Sequence, residues 1–225
     1  MNINVAQSIN PVSASHNLVA QYAFGSLSSG MNLLVASLMS YRPELRSEYD
    51  NIATLNGQLL NECPPAPLSD NALDSILMKL DDPVITAPVK NQTVPGLNQD
   101  IAAPIRALLP TKIENLKWRY AYPGVRQVIL DVGDDGEEVT LLKIKPGKSA
   151  PRHTHDGLEA TLILRGHYKD NETLYGPGEL ALADESTHHQ PRAEGDEDCY
   201  CLAVTSGKLK VTDSYIKMAR DFLGL

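Results

Sequence analysis

Two histidines and a glutamate stand close together in the second half of this 225-residue chain. His153 and His155 are two residues apart, so a strand would place both imidazoles on one face, roughly 7 Å from each other. Glu159 follows a glycine turn and can return a carboxylate to the same side. Such a ligand set suits a divalent transition metal with open coordination positions. A closed tetrahedral zinc site needs a fourth ligand, for which His188 and His189 are both candidates.

An H-x-H pair alone is weak support for a metal site, because such pairs on surface strands are more often solvated. Here glycines at positions 147 and 166 bracket the segment, a glutamate has a suitable offset, and a second histidine pair follows. Together these features predict a bound metal ion. The ligand types accept zinc, and they also accept manganese, iron or nickel.

The composition excludes several classes of protein. The net charge is -8, which argues against a protein that grips phosphate backbones with clustered lysine and arginine. No apolar run reaches the roughly 18 residues of a membrane span, and the first residues lack the pattern of a signal peptide. Three cysteines are too few for a disulfide scaffold. We therefore expect a soluble, cytoplasmic protein with no membrane partner.

The first 80 residues show the hydrophobic period of helices. The predicted helices are an early one ending before Gly25, one from Ser28 to Met39, one from Pro43 to about Leu60 with Leu45, Ile52, Leu55 and Leu59 inward, and one capped by Ser69 or Asp70 and carrying Leu73, Ile76, Leu77 and Leu80. Four short helices bury little surface by themselves, so we expect them to pack on a partner. Residues 82–110 contain five prolines and read as a linker.

The second half shows short apolar or alternating runs separated by glycine and proline turns, which is typical of a sandwich or small barrel. Strands are predicted at 127–132, 138–144, 160–164, 179–182 and 200–205, with a closing helix at 215–222. The chain is thus predicted to be α+β with two domains, a helical one at 1–81 and an all-β, metal-binding one at 111–225.

The spacing G-x5-H-x-H-x3-E-x6-G, from Gly147 to Gly166, resembles the first motif of the cupin superfamily at every position. That resemblance implies a jelly-roll barrel with a metal in its mouth. A narrower resemblance is to ChrR-type anti-sigma factors. It rests on YGPGELALADESTHHQP, on EDCYCLAVTSGKLK, and on QYAFGSLSSGMNLLVASLMSYRPELR in the helical half.

The ChrR-type resemblance has several implications. The histidine before Gln-Pro, here His189, would be the fourth ligand, and the metal would be zinc. The helical domain would sequester an extracytoplasmic-function (ECF) sigma factor, without binding nucleic acid directly. The cupin domain would sense oxidative stress, in the family singlet oxygen or organic hydroperoxide. Because cupins often dimerise, a homodimer is plausible.

The chain departs from this family in one respect. The family's helical domain usually carries a His-x3-Cys-x2-Cys zinc motif, and alignment on Pro43-Glu44 places Leu38, Arg42 and Leu45 at those positions. None of the three side chains can hold zinc. We therefore predict that the first zinc has been lost and that Leu38 and Leu45 pack together where it joined the helices.

Three other assignments have alternatives. The chain could instead be a metal-dependent cupin enzyme, a dioxygenase or isomerase, although beyond the ligands the sequence offers no convincing general base. Cys199 and Cys201 share one strand face and could form a redox-sensing pair, but two small buried side chains are the favoured interpretation. Glu185 is a candidate to orient a ligating histidine, and equally a candidate surface acid.

Overall fold

The computed structural model describes residues 11–80, 101–133 and 136–212. The helices in these ranges are α1 (Pro11–Ala23), α2 (Ser29–Tyr41), α3 (Pro43–Glu62), α4 (Ala72–Leu77) and α5 (Ala103–Leu108), and a 3-10 turn follows at Ile113–Asn115. The helix search finds no helix in the described residues that is long and apolar enough to cross a membrane. The predicted closing helix at 215–222 lies outside the described residues.

The strands form three antiparallel sheets, so the described part of the chain is α+β with a sandwich-like second half. The six-stranded sheet has the order β1-β2-β3-β10-β5-β8, the three-stranded sheet β7-β6-β9, and the two-stranded sheet β11-β4. Their bounds are β1 Arg119–Tyr122, β2 Val125–Leu130, β3 Glu137–Ile144, β4 His153–His155, β5 Glu159–Arg165, β6 His167–Asp170, β7 Thr173–Tyr175, β8 Leu180–Ala183, β9 Arg192–Glu194, β10 Cys199–Ser206 and β11 Leu209–Val211.

The sequence places the first three helices well because their ends carry strong local signals. Gly25 adopts the left-handed φ of 66° that a glycine tolerates, just after α1. Ser28 caps α2, accepting a hydrogen bond from the backbone N–H of Met31 at 3.3 Å. Pro43 occupies the first turn of α3, where its missing N–H costs nothing.

Helix α2 lies against one face of the six-stranded sheet, and the two share a hydrophobic core. That core contains Leu34 and Val35 of α2 together with Leu162 and Leu202 of the sheet. The contact is close because a Cβ on Gly30 would meet the Val139 side chain at 2.7 Å. Both ends are also tied by hydrogen bonds.

Side chains at the two ends of α2 make these hydrogen bonds to the sheet. Ser28 Oγ donates to Glu137 Oε2 at 2.5 Å, and Tyr41 Oη donates to the carbonyl of Leu164 at 3.2 Å. The helices were expected to pack on a partner, and for α2 the surface that covers it is the chain's own six-stranded sheet.

The stretch predicted as a linker, 82–110, contains structure in its described part. Helix α5 contributes Ile105 to the shared core, and Ile101, Ala102 and Leu109 beside it are also buried. Pro104 lies in the first turn of α5, so it starts this helix instead of breaking it. The number of prolines in a segment does not tell whether they start a helix or interrupt one.

The prediction for the inward face of α3 is correct at one end only, and the predicted cap of α4 is wrong. Leu45 is buried, but Leu55 and Leu59 are each 54% exposed. Helix α4 has no buried residue, and its N-cap is Asn71, with no side-chain cap from Ser69 or Asp70. The two helices do carry an apolar stripe, but no other part of the described chain covers it.

Candidate metal centre

Three separate segments bring the four predicted ligands together. His153 and His155 lie on β4, Glu159 begins β5, and His189 stands just before β9. His189 is held in register by an isolated bridge to His153, in which each backbone N–H donates to the other carbonyl at 3.0 and 3.1 Å. The backbone therefore fixes the spacing between the first histidine and the last.

The donor atoms of His153, His155, Glu159 and His189 all lie within 4.8 Å of one another. Nε2 of His155 is 2.7 Å from Glu159 Oε2 and 3.3 Å from Nε2 of His189, and Nε2 of His153 is 3.8 Å from that carboxylate oxygen. Ligands at 2.0–2.1 Å around a tetrahedral zinc are about 3.3 Å apart. The arrangement could therefore hold one divalent ion.

All four side chains are buried, which makes an unpaired charge among them expensive. Burial by itself would raise the pKa of Glu159, but the imidazoles of His153 and His155 that face its carboxylate bring that pKa well below its usual range. Glu159 is thus held as a carboxylate. Thr161 donates to its Oε1 at 2.9 Å, which leaves Oε2 directed toward the histidines.

The outer nitrogens of two imidazoles have acceptors that orient the rings. Nδ1 of His153 is 2.8 Å from the carbonyl of Pro151, and Nδ1 of His189 is 2.8 Å from Asp170 Oδ2. Both nitrogens must donate to these oxygens, so the Nε2 lone pairs point into the cluster. A cation between them removes the repulsion of the facing lone pairs, and the donor set therefore fits a metal.

Sequence reasoning missed Asp170 and offered Glu185 as a candidate for the orienting role. Asp170 ends β6, and its carboxylate faces His189 from a hairpin remote in sequence. Glu185 is exposed, and its backbone carbonyl accepts from Thr154 Oγ1 at 3.1 Å. His188 is also exposed, so the structure brings His189 into the cluster and leaves its neighbour outside.

Cys199 and Cys201 lie on the other face of β10 from the helices, with their sulfur atoms 3.5 Å apart. Both are fully buried in a second apolar cluster with Ile144 and Ile163. The hydrogen bond with Cys199, together with burial, raises the pKa of Cys201, so this thiol stays protonated at neutral pH. Two buried apolar side chains account for this geometry, and the redox interpretation remains untested.

The positions that would carry the first zinc motif hold a different kind of contact. Leu38 on α2 is 0% exposed and Leu45 on α3 is 1% exposed, and both belong to the shared core. Arg42, between the two helices, pairs with Glu44 at the surface. The predicted replacement of metal ligands by apolar packing agrees with this arrangement.

Comparison with known proteins shows whether the chain resembles cupins in general or ChrR-type anti-sigma factors in particular. The family model for the ChrR cupin-like domain matches residues 108–210. The anti-sigma-E factor ChrR of Cereibacter sphaeroides is 34% identical over 211 residues, which cover 92% of this chain and 95% of that protein. The chain belongs to the ChrR family.

A solved structure supports the same assignment. ChrR bound to SigE from Rhodobacter sphaeroides superposes with a TM-score of 0.70 at 34% identity, covering 84% of this chain and 96% of the matched chain. The similarity to a ChrR family member thus extends through the helices as well as the sheets. The second half of the chain is therefore cupin-like, and the helical half is part of the family's architecture.

Proposed function

We propose that this chain is an anti-sigma factor that sequesters an ECF sigma factor, acting where that sigma factor meets RNA polymerase, in the cytoplasm. The observation that carries the proposal is the uncovered apolar surface of α3 and α4, in a chain that matches a sigma-bound ChrR over most of its length. No contact with nucleic acid is required, because the protein would act by covering its partner.

Most of the large hydrophobic side chains exposed among the described residues fall between 55 and 80. They are Leu55, Leu59, Leu60, Leu68, Leu73, Ile76, Leu77, Met78 and Leu80. Exposed apolar side chains concentrated in one segment in this way indicate an interaction site. Burial of each leucine or isoleucine against a partner stabilises a complex by about 1.5–3 kcal/mol before ordering costs.

In this proposal the metal is zinc, held by His153, His155, Glu159 and His189, and the cupin-like domain, a jelly-roll barrel, is the sensor. Strand β5 connects the two parts, because Glu159 lies in the metal cluster while Ala160 and Leu162 lie in the core shared with α2. A signal can release the partner only if it favours the free state over the bound state. Oxidation at the site, or loss of the metal, would supply that difference.

The test of sequestration is co-expression of the full chain with each ECF sigma factor of its own genome. We expect one sigma factor to form a 1:1 complex on size-exclusion chromatography and to lose activity with RNA polymerase. The double variant Leu73→Ser/Ile76→Ser should lose the complex while keeping its melting temperature, because both side chains are exposed.

The matched control is Leu174→Ser on β7, which removes a similarly exposed leucine far from these helices in sequence. This variant should bind like the parent chain. If no ECF sigma factor binds, or if both variants bind equally well, sequestration through α3 and α4 is wrong. Unchanged affinity for the sigma factor in His153→Ala and His155→Ala, with and without oxidant, would contradict the sensor role alone.

A further inference from the structure

A cavity of about 520 Å³ lies beside the first strands of the six-stranded sheet, away from the metal ligands in the sequence. Lys117, Arg126, Lys143 and Lys145 line it, with Glu114 as its acidic residue. Four cations against one carboxylate stand out in a chain whose net charge is -8. The volume falls within the range of about 300–1,000 Å³ that small-molecule sites occupy.

The register of the sheet concentrates this positive charge. Arg126 of β2 lies directly opposite Lys143 of β3, and Lys143 lies opposite Tyr200 of β10, which in turn faces Arg165 of β5. Like charges directly opposite each other destabilise an antiparallel pair. Arg126 and Lys143 therefore bring two like charges to one end of this row.

Some of these charges are compensated within the protein. Lys143 pairs with Asp198 at 3.0 Å, and Arg165 pairs with Glu114 at 2.7 Å, so the only acidic side chain in the lining is already engaged. Lys143 and Arg165 also stack over the Tyr200 ring, at 5.2 and 4.4 Å.

Arg126, Lys117 and Lys145 differ from these two. Among the described residues, no carboxylate lies within salt-bridge distance of any of the three. A concave wall of uncompensated cations focuses a positive potential into the cavity. All three side chains are exposed, so an anion that enters the cavity can reach them.

One wall of the cavity is aromatic. Trp118 lines it, packed edge-to-face on Tyr200 at 5.8 Å and oriented by a hydrogen bond from its Nε1 to the carbonyl of Ile113 at 2.9 Å. The indole nitrogen is thus already satisfied, and the ring offers apolar surface to a ligand. A ligand that joins an anionic group to a planar or apolar part matches both walls.

We infer that this cavity binds a small phosphorylated molecule, with Arg126, Lys143 and Lys145 holding the phosphate and Trp118 contacting its apolar part. A phosphate matches several convergent cations better than a single carboxylate does, and arginine binds it in a bidentate manner. The site adds a ligand-binding function to the cupin-like domain, independent of the metal ligands and of the surface on α3 and α4.

Trp118 is the only tryptophan in the chain, so its fluorescence reports directly on this wall. The metal-bound full-length protein is titrated at low salt with adenosine monophosphate, with inorganic phosphate and with adenosine. We expect a saturable change with the nucleotide, a weaker saturable change with phosphate and none with adenosine. Added salt should weaken binding of both anions.

Arg126→Gln should weaken binding of the nucleotide roughly tenfold, which corresponds to about 1.4 kcal/mol. Without ligand it should keep or raise the melting temperature, because it removes the opposed like charges. Arg119→Gln is the matched control: Arg119 is exposed on β1, lies opposite Gln127 and does not line the cavity.

Three results would overturn the inference. They are the absence of saturable binding by both anions up to millimolar concentration, equal responses to the nucleotide and to adenosine, and equal affinity in Arg126→Gln and the parent. If Arg126→Gln instead lowers the melting temperature by several degrees, the charged row is structural. If it abolishes sigma-factor binding but not binding of the anions, the row belongs to the protein interface.

Discussion

The metal centre and the corner between α2 and α3 both hold separate chain segments together, but with different side chains. Each joins segments of chain, the first through four polar side chains and the second through Leu38 and Leu45. Buried polar ligands are costly unless an ion compensates them, whereas buried leucines stabilise the contact without any cofactor. Only the metal centre can therefore respond to a chelator or an oxidant.

If the cluster holds a metal and senses a signal as proposed, this difference separates stability from sensitivity within one chain. If a zinc ion joined α2 to α3 as well, a metal-directed signal would act on both halves at once. With leucines there, the corner that positions α3 stays assembled while the cluster on β4 and β5 changes. We expect that removal of the metal and truncation of the leucines each destabilise one region without affecting the other.

Removal of the metal should have the largest effect. Relative to protein with free zinc at roughly 1,000 times its Kd, exhaustive dialysis against a chelator should lower the free energy of unfolding by about 4 kcal/mol. The reason is that the ion binds the folded cluster and not the unfolded chain. Denaturation with and without zinc, combined with hydrogen exchange, measures the loss and shows whether β4 and β5 open while the α2–α3 corner stays protected.

The single variants His189→Ala and His188→Ala form a matched pair for this experiment, because only His189 lies in the cluster. We expect His189→Ala to purify with little metal and His188→Ala with one equivalent. Equal metal content in the two variants would contradict the ligand assignment.

The second-largest effect on stability is expected when a leucine at the corner between α2 and α3 is truncated. Leu45→Ala removes a side chain that is 1% exposed and should cost about 2–5 kcal/mol of unfolding free energy, because the cavity collapses only partly. Its metal content should not change. Leu55→Ala on the same helix, where the side chain is 54% exposed, should stay within about 0.5 kcal/mol of the parent. A loss of metal in Leu45→Ala would show that the two regions are coupled.

The smallest effect concerns the tuning of the metal centre. Asp170→Asn weakens the acceptor of the His189 Nδ1–H and should reduce zinc affinity by about 10- to 100-fold, with the fold intact. Competition with a chelating dye measures the affinity. Glu185→Gln, which alters the exposed carboxylate that was a candidate from the sequence, should leave the zinc affinity unchanged. The orienting role of Asp170 fails if both variants bind zinc alike.

Local spacing explains why most of the candidate site could be predicted. His153, His155 and Glu159 lie within seven residues, and strand geometry alone places the two imidazoles on one face. His189 could be separated from His188 only through the family resemblance, because a 34-residue gap says nothing about backbone pairing. Asp170 carried no signal, since its hairpin approaches the cluster only in three dimensions.

The helical half shows the same limit. Hydrophobic period located α2 and α3 to within a few residues and identified the apolar face of each. It did not indicate what covers each face. The face of α2 lies on the sheet, whereas the corresponding stripe on α3 and α4 is exposed, and α5 begins inside a proline-rich stretch that read as a linker.

By itself the sequence determined the ends of the first three helices, five of the strands, the two-histidine-and-glutamate motif and the loss of the first zinc motif, because each depends on residues close together in the chain. The tertiary structure decided the orientation of His189 by Asp170, the docking of α2 on the sheet, the exposure of α3 and α4, and the alignment of Arg126 with Lys143. These features depend on which distant segments meet. Local periodicity and spacing do not specify such meetings, since they arise from packing and pairing across the whole fold.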